Sequence, residues 1–224
     1  MQNKTQQGPQ RGFKAEVPEG CELGKERILV HCCCAPCSTA ILEWMASQGL
    51  KPTIFFSNSN IVPADEYELR REELRQYATS LGMECIDDEY DHRAWLGAVK
   101  GLEKEPERGA RCTMCFRFRL TRAAEYALEN GYTLLTTTLA SSRWKDLLQV
   151  NAAGTWAVKQ VNRKAQEESC GLTSGAVCPP SGQKVTWWAQ NWRKGGLQER
   201  RNFLIKELNM YNQNWCGCEF SRNR

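Results

Sequence analysis

With 224 residues, 41% hydrophobic and 25% charged, the chain is long enough for an α/β domain with a sizeable core. A net charge of +4 neither requires nor excludes a nucleic-acid partner. No apolar run approaches the ~20 residues of a membrane span, and the opening MQNKTQQGPQRGFKAEVPEG lacks the apolar stretch of a secretory signal, so the expectation is a cytoplasmic protein with no membrane partner.

Residues 1–24 are polar and read as a disordered N-terminal tail. Ile28-Leu29-Val30 has strand character and runs into Cys32, Cys33 and Cys34, after which Ala35-Pro36 turns the chain. Cys37 follows, and Ser38 or Thr39 is placed to cap a helix over 40–49. Thr53–Phe56 reads as a second strand ending in the polar loop Ser57-Asn58-Ser59-Asn60. Pro63 and Asp65 open a helix to Leu81 whose apolar positions Leu74, Tyr77, Ala78 and Leu81 share a face. Met83–Ile86 reads as a third strand, with Cys85 packing, and Asp87, Asp88, Glu89 and Asp91 as an acidic loop.

Residues 101–111 form a charged loop leading to Cys112-Thr113-Met114-Cys115. The helix after them carries Phe116, Leu120, Ala124 and Ala127 on one face. Tyr132–Thr138 is a fourth strand with a Thr-rich tip, followed by a helix from Ser142 into the 160s. Residues 166–183 are Gly/Ser/Pro-rich and read as a mobile, exposed insertion in which Cys170 and Cys178 read as solvent-facing bystanders, with zinc or cluster ligation as the alternative. Lys184–Trp188 is a last strand and 197–209 an amphipathic helix, with Phe203, Leu204 and Leu208 inward and Arg200, Arg201 and Lys206 outward. Strands alternating with helices imply one α/β domain over 25–224, built as a three-layer parallel sheet.

Twelve cysteines without a signal segment point away from a disulfide scaffold. Most are grouped: Cys32/33/34/37, Cys112/Cys115 and Cys216/Cys218. Grouped thiols in such a chain indicate metal or redox chemistry. Both Cys-x-x-Cys pairs follow strand–loop–helix entries on one edge of a parallel sheet, so one metal centre can take ligands from both. Zinc and iron–sulfur clusters each accept four thiolates. Spacing does not separate them, although the surplus of cysteines favours iron–sulfur. Cys216-Gly217-Cys218 is short enough to form a small reducible disulfide. His31 lies in a buried-strand position and reads as core. There is no Walker loop, no Gly-x-Gly-x-x-Gly and no Ser/His/Asp context, which disfavours hydrolases and nucleoside triphosphatases. Loops at strand C-termini, around Asn58, Asn60 and Thr136, Thr137 and Thr138, are expected to line a ligand pocket. Trp187, Trp188, Trp192, Arg193, Lys194, Arg200 and Arg201 mix rings with positive charge, as RNA contacts do, though the tryptophans equally suit a core.

In order and spacing, His31–Cys37, Ser57–Ile61, Cys112–Cys115 and Asn212–Cys218 resemble the cobalamin-independent epoxyqueuosine reductases of the QueH type. The resemblance covers roughly 28–165 and 184–220. It implies a sheet of the HUP (nucleotide α-hydrolase-like) type. It also implies two-electron reduction of the epoxide of epoxyqueuosine at the wobble position of tRNA, giving queuosine. By the same resemblance, Cys33, Cys34, Cys112 and Cys115 would hold a [4Fe–4S] cluster, Cys37 would lie near an adjacent iron ion, and Cys216 and Cys218 would be the redox pair, served by an unidentified electron donor. Cys32 stands where that family more commonly has an apolar residue, and 166–183 does not map onto the motifs that carry the resemblance, so its role is open. The competing readings are a zinc-stabilised tRNA-binding adaptor without redox activity and a thiol–disulfide oxidoreductase.

Overall fold

A computed structural model describes residues 12–171 and 184–221. Five parallel strands form one sheet in the order β3-β2-β1-β4-β5. They are β1 (Ile28–His31), β2 (Thr53–Phe56), β3 (Cys85–Asp87), β4 (Leu134–Thr137) and β5 (Thr186–Trp187). The central strands β1 and β4 are buried at every position, as parallel strands covered on both faces must be. The connecting helices are α1 (Ala35–Ser47), α2 (Ala64–Ser80), α3 (His92–Ala98), α4 (Ala110–Glu129), α5 (Leu147–Gly171) and α6 (Leu197–Glu207). The result is the three-layer α/β arrangement expected from the alternation, consistent with a HUP-type sheet. The order reverses around β1, whose neighbours β2 and β4 lie on opposite sides. The crevice at the C-terminal ends of such strands is where open α/β sheets bind ligands.

Several boundaries differ from the expectation, each for a local reason. Helix α1 begins at Ala35, not Ala40, because Pro36 sits in its first turn, where a missing N–H and a fixed φ cost nothing. Ser38 therefore does not cap the helix; its hydroxyl donates back to the Cys34 carbonyl at 2.8 Å. Helix α3 was not anticipated. Its signal is Asp91, whose carboxylate accepts from the Ala94 N–H at 2.8 Å, a conventional N-cap. After β4 the chain makes a short 3-10 turn, Thr138–Ser141, so α5 starts at Leu147. Residues 166–171 of the expected insertion continue α5; Cys178 and the Cys170 side chain lie outside the described residues. In α6 the buried positions are Leu197, Leu204 and Ile205, whereas Phe203 and Leu208 are exposed.

The aromatic, basic stretch after β5 is mostly interior. Trp188 and Trp192 are fully buried, and Trp192 packs against Trp44 and Phe13. The N-terminal lead-in is therefore attached to the core from Phe13 onward. Arg200 faces α1 and forms a two-pronged pair with Glu43 at 2.6 and 2.7 Å. Among the described residues, no helix is long and apolar enough to cross a membrane.

Candidate active site

The first cysteine group occupies the tight connection from β1 into α1. Cys33, Cys34 and Cys37 are buried, and their sulfurs lie within 4.8 Å of one another. Such a triad is a ligand set for a thiophilic metal. Its protons are shared unequally. Hydrogen bonds from Cys34 and Cys37, helped by the charges of Lys145 and Arg119, hold the Cys33 thiol well below the usual range. Burial pushes Cys34 up. Cys37 is raised by its bond to Cys33. Cys32 is buried in the core and is not part of this triad; burial, with smaller contributions from Cys33 and Cys85, drives its thiol far up.

The second group enters from α4. Cys112 and Cys115 lie in its first turns, and both thiols are raised by burial. Cys33, Cys37, Cys112, Cys115, Cys216 and Cys218 border one cavity of about 830 Å³. The sulfur of Cys34 lies 3.8 Å behind that of Cys33. All three cysteine groups identified in the sequence thus converge, and Cys21 and Cys85 stay outside the cavity.

The C-terminal segment forms one wall of this cavity. The Val62 N–H donates to the Gly217 carbonyl at 3.0 Å, Asn60 donates to the Cys216 carbonyl at 3.4 Å, and Gln213 donates to the Cys34 sulfur at 2.6 Å. An apolar cluster joins Trp95 and Val99 to Cys115 and Cys218, with Cys216 and Phe220 packed against it. Helix α3 thereby gives the tail its seat. A hydrogen bond from Cys218 keeps the Cys216 thiol well below its ordinary value, with Lys145 contributing by charge. The partner thiol of Cys218 is raised in turn.

Among the described residues, basic side chains dominate the walls: Arg70, Arg108, Arg111, Arg119, Arg143, Lys145 and Arg201 against a single acid, Glu107. None of them stood out in the sequence except Arg201. Arg119 offered a signal, because it lies one helical turn after Cys115. It is buried, donates to the Ser57 carbonyl at 3.1 Å and bonds the Asn58 side-chain oxygen. Burial works against the Lys145 ammonium, but the sulfurs of Cys33, Cys216 and Cys37 hold its pKa above the ordinary value.

Of the strand-end residues expected to line the pocket, Asn60 borders this cavity, and of the basic residues expected at RNA, Arg201 does. The Asn60 contact is the deeper in the site. The Asn60 side-chain oxygen is buried without a partner, as is that of Gln213. Asn58 is committed elsewhere, donating to the Cys32 carbonyl at 2.9 Å and accepting from Arg119. Thr136 donates to the Trp188 carbonyl at 2.9 Å. Thr137 serves His31, whose neutral ring donates from Nε2 to the Ser57 carbonyl and accepts at Nδ1 from the Thr137 hydroxyl. Burial, then Arg119, lowers the His31 pKa to about 3, so this residue is core, as read from the sequence. Thr138 lies behind the triad, 4.0 Å from the Cys33 sulfur. Arg193 turns inward to backbone carbonyls at 2.5 to 3.1 Å. Lys194 borders a separate shallow cavity near Phe13.

A family model described as Epoxyqueuosine reductase QueH matches residues 28–224. The chain belongs to the epoxyqueuosine reductase QueH family. Curated relatives of that name include one from Histophilus somni, 39% identical over 208 residues, covering 93% of this chain and 75% of that protein. One from Acinetobacter baylyi is 36% identical over 209 residues, with 93% and 84% covered. One from Thermotoga maritima is 34% identical over 198 residues, with 87% and 89% covered. A QueH-family oxidoreductase is consistent with a cavity whose borders carry cysteines from three separate segments.

Proposed function

We propose that this protein reduces the epoxide of epoxyqueuosine in tRNA to queuosine. The observation that carries the reading is the convergence of the three cysteine groups on one basic cavity. Deoxygenation of an epoxide consumes two electrons and two protons: both C–O bonds break, a C=C bond forms and the oxygen leaves as water. Oxidation of the Cys216/Cys218 dithiol to a disulfide releases two electrons and two protons, so one turnover balances one disulfide. An external electron donor must then restore the dithiol.

The donor set suits an iron–sulfur cluster. Cys33 and Cys34 from the turn into α1 and Cys112 and Cys115 from α4 would supply four thiolates, as such clusters require, and Cys37 remains over for an adjacent iron ion. When bound, these groups would pass electrons singly and polarise the epoxide oxygen as a Lewis acid. The chain's own residues do the rest. The unpartnered oxygens of Asn60 and Gln213 are acceptors for substrate hydroxyl or amine groups. The Lys145 ammonium is a cation beside the sulfurs, where negative charge develops as C–O bonds break. The basic walls suit the phosphates flanking a nucleotide taken out of its stack. A cytoplasmic location fits this reading.

Anaerobic purification, iron and sulfide analysis, and an assay on tRNA carrying epoxyqueuosine test it together. A brown protein bleached by dithionite that yields queuosine supports the reading. A colourless zinc protein that binds tRNA without reducing it would show an adaptor instead.

A further inference from the structure

From the end of the 3-10 turn toward α5, the segment 140–145 forms part of the cavity rim, and its backbone is held to an unusual degree. Six consecutive carbonyls each accept from a side chain. Arg193 bonds those of Ala140, Ser142 and Lys145. Gln198 bonds Ser141 at 2.8 Å. Arg108 bonds Arg143 at 3.3 Å and Trp144 at 2.9 Å. A loop fixed at every carbonyl presents its side chains with little entropy left to lose on binding.

What it presents is Trp144, 65% exposed although it borders the cavity. Burying an indole is among the larger apolar gains available to a chain, so a rigid loop that leaves one in water is not explained by folding. The Arg143 guanidinium lies 4.9 Å from its ring centroid, and Lys145 and Arg108 stand beside it on the rim. An open aromatic face set among cations is the arrangement that stacks a base while its phosphates are neutralised.

We infer that Trp144 is a stacking platform for a single-stranded RNA base adjoining the nucleotide that enters the cavity. The inference rests on the tRNA reading above and deepens it. The reacting base must reach the sulfurs inside the cavity. Its neighbour in the strand is left at the rim, where Trp144 and its cations wait. The site therefore recognises a feature of the strand that a free nucleoside lacks.

The test uses the full chain and a labelled, unmodified anticodon stem-loop, read by fluorescence anisotropy at fixed salt. Trp144→Ala is expected to weaken binding roughly tenfold to a hundredfold, the range of one base–aromatic stack, and Trp144→Phe to restore most of it. Removing the base on one side of the wobble position should weaken wild-type binding similarly and leave Trp144→Ala binding almost unchanged. If wild type binds the stem-loop and Trp144→Ala binds equally well, or if an abasic site on either side costs both proteins the same, the platform is refuted and the tRNA reading survives. If wild type does not bind the stem-loop at all, the tRNA reading falls and takes the platform with it.

Discussion

The Val62 N–H and the Gly217 carbonyl meet at 3.0 Å, fastening the Cys-Gly-Cys tail to the loop after β2. Gly217 has φ +97°, and a Cβ there would stand 2.7 Å from a side-chain carbon of Ile61. Both facts exclude a larger residue. Gly217→Ala is expected to lower stability by about 1–3 kcal/mol from the backbone conformation alone, and to lift the tail off its seat. Gly24 has open space around it and serves as the control. The check is alkylation of Cys216 and Cys218 under native conditions, resolved by mass spectrometry. Gly217→Ala should be labelled severalfold faster than wild type, and Gly24→Ala at the wild-type rate. Equal labelling of all three proteins would mean that the tail does not depend on this contact.

Cys112 and Cys115 are expected to be indispensable for iron, whereas Cys85 is not. The first two border the cavity opposite the Cys33 triad; Cys85 lies on β3 at the far edge of the sheet. After anaerobic reconstitution, Cys112→Ala and Cys115→Ala should each lose most of their iron and sulfide. Cys85→Ala should keep both, at a stability cost of about 1 kcal/mol for a half-buried thiol. Full iron and sulfide in either α4 variant would remove that residue from the ligand set.

Arg193 and Lys194 are adjacent in sequence and serve different ends. Arg193 holds three carbonyls of the 140–145 loop, and hydrogen bonds from a charged donor are worth about 1.5–3 kcal/mol each, with partial overlap. Arg193→Ala should therefore destabilise the fold by roughly 2–4 kcal/mol, seen as a lowered denaturation midpoint. Lys194→Ala should leave that midpoint within about 0.5 kcal/mol. If Lys194 meets a phosphate, its loss should reduce the slope of log K against log salt by roughly 0.7–0.9. A neutral Arg193→Ala would show that the loop holds itself.

The sheet was legible because its signals are local. Short apolar runs at Ile28–Val30, Thr53–Phe56 and Leu134–Leu135, each followed by turn chemistry and a helical period, leave little choice but a parallel three-layer fold. The cysteine groups were legible as chemistry because spacing survives in the sequence. What did not show was direction. Trp188 and Trp192 beside Arg193 suit an RNA surface and a core alike in sequence, because rings and cations share a composition whether they face water or the core. Arg193 faces backbone carbonyls, and no sequence pattern reports which carbonyls need a donor. Trp144 escaped notice for the converse reason: one tryptophan in a short loop carries no periodicity, and only its exposure singles it out. Helix α3 was missed because its seven residues are too few for a convincing period, although Asp91 marked its start.

The tail thiols are expected to divide the work. Cys216 is the more acidic thiol of the pair, held low by the hydrogen bond from Cys218 and by Lys145, while the Cys218 thiol is raised by that bond and by burial. At neutral pH, limiting iodoacetamide should therefore reach Cys216 before Cys218, since the thiolate is the nucleophile. Cys216→Ser and Cys218→Ser should each retain iron, sulfide and stem-loop binding near wild type, because the expected ligands lie on α1 and α4 and in the turn that leads into α1. With one thiol gone, no intramolecular disulfide forms, and the two-electron couple is lost. Sustained turnover on tRNA carrying epoxyqueuosine should then fall at least a hundredfold. Lys145→Met should raise the pH at which Cys216 alkylates without abolishing the disulfide. The deciding measurement is steady-state turnover with a physiological electron donor, alongside iron content. If both Ser variants turn over at the wild-type rate, the tail pair only anchors the C-terminus, and both electrons must arrive by way of the other cysteine groups.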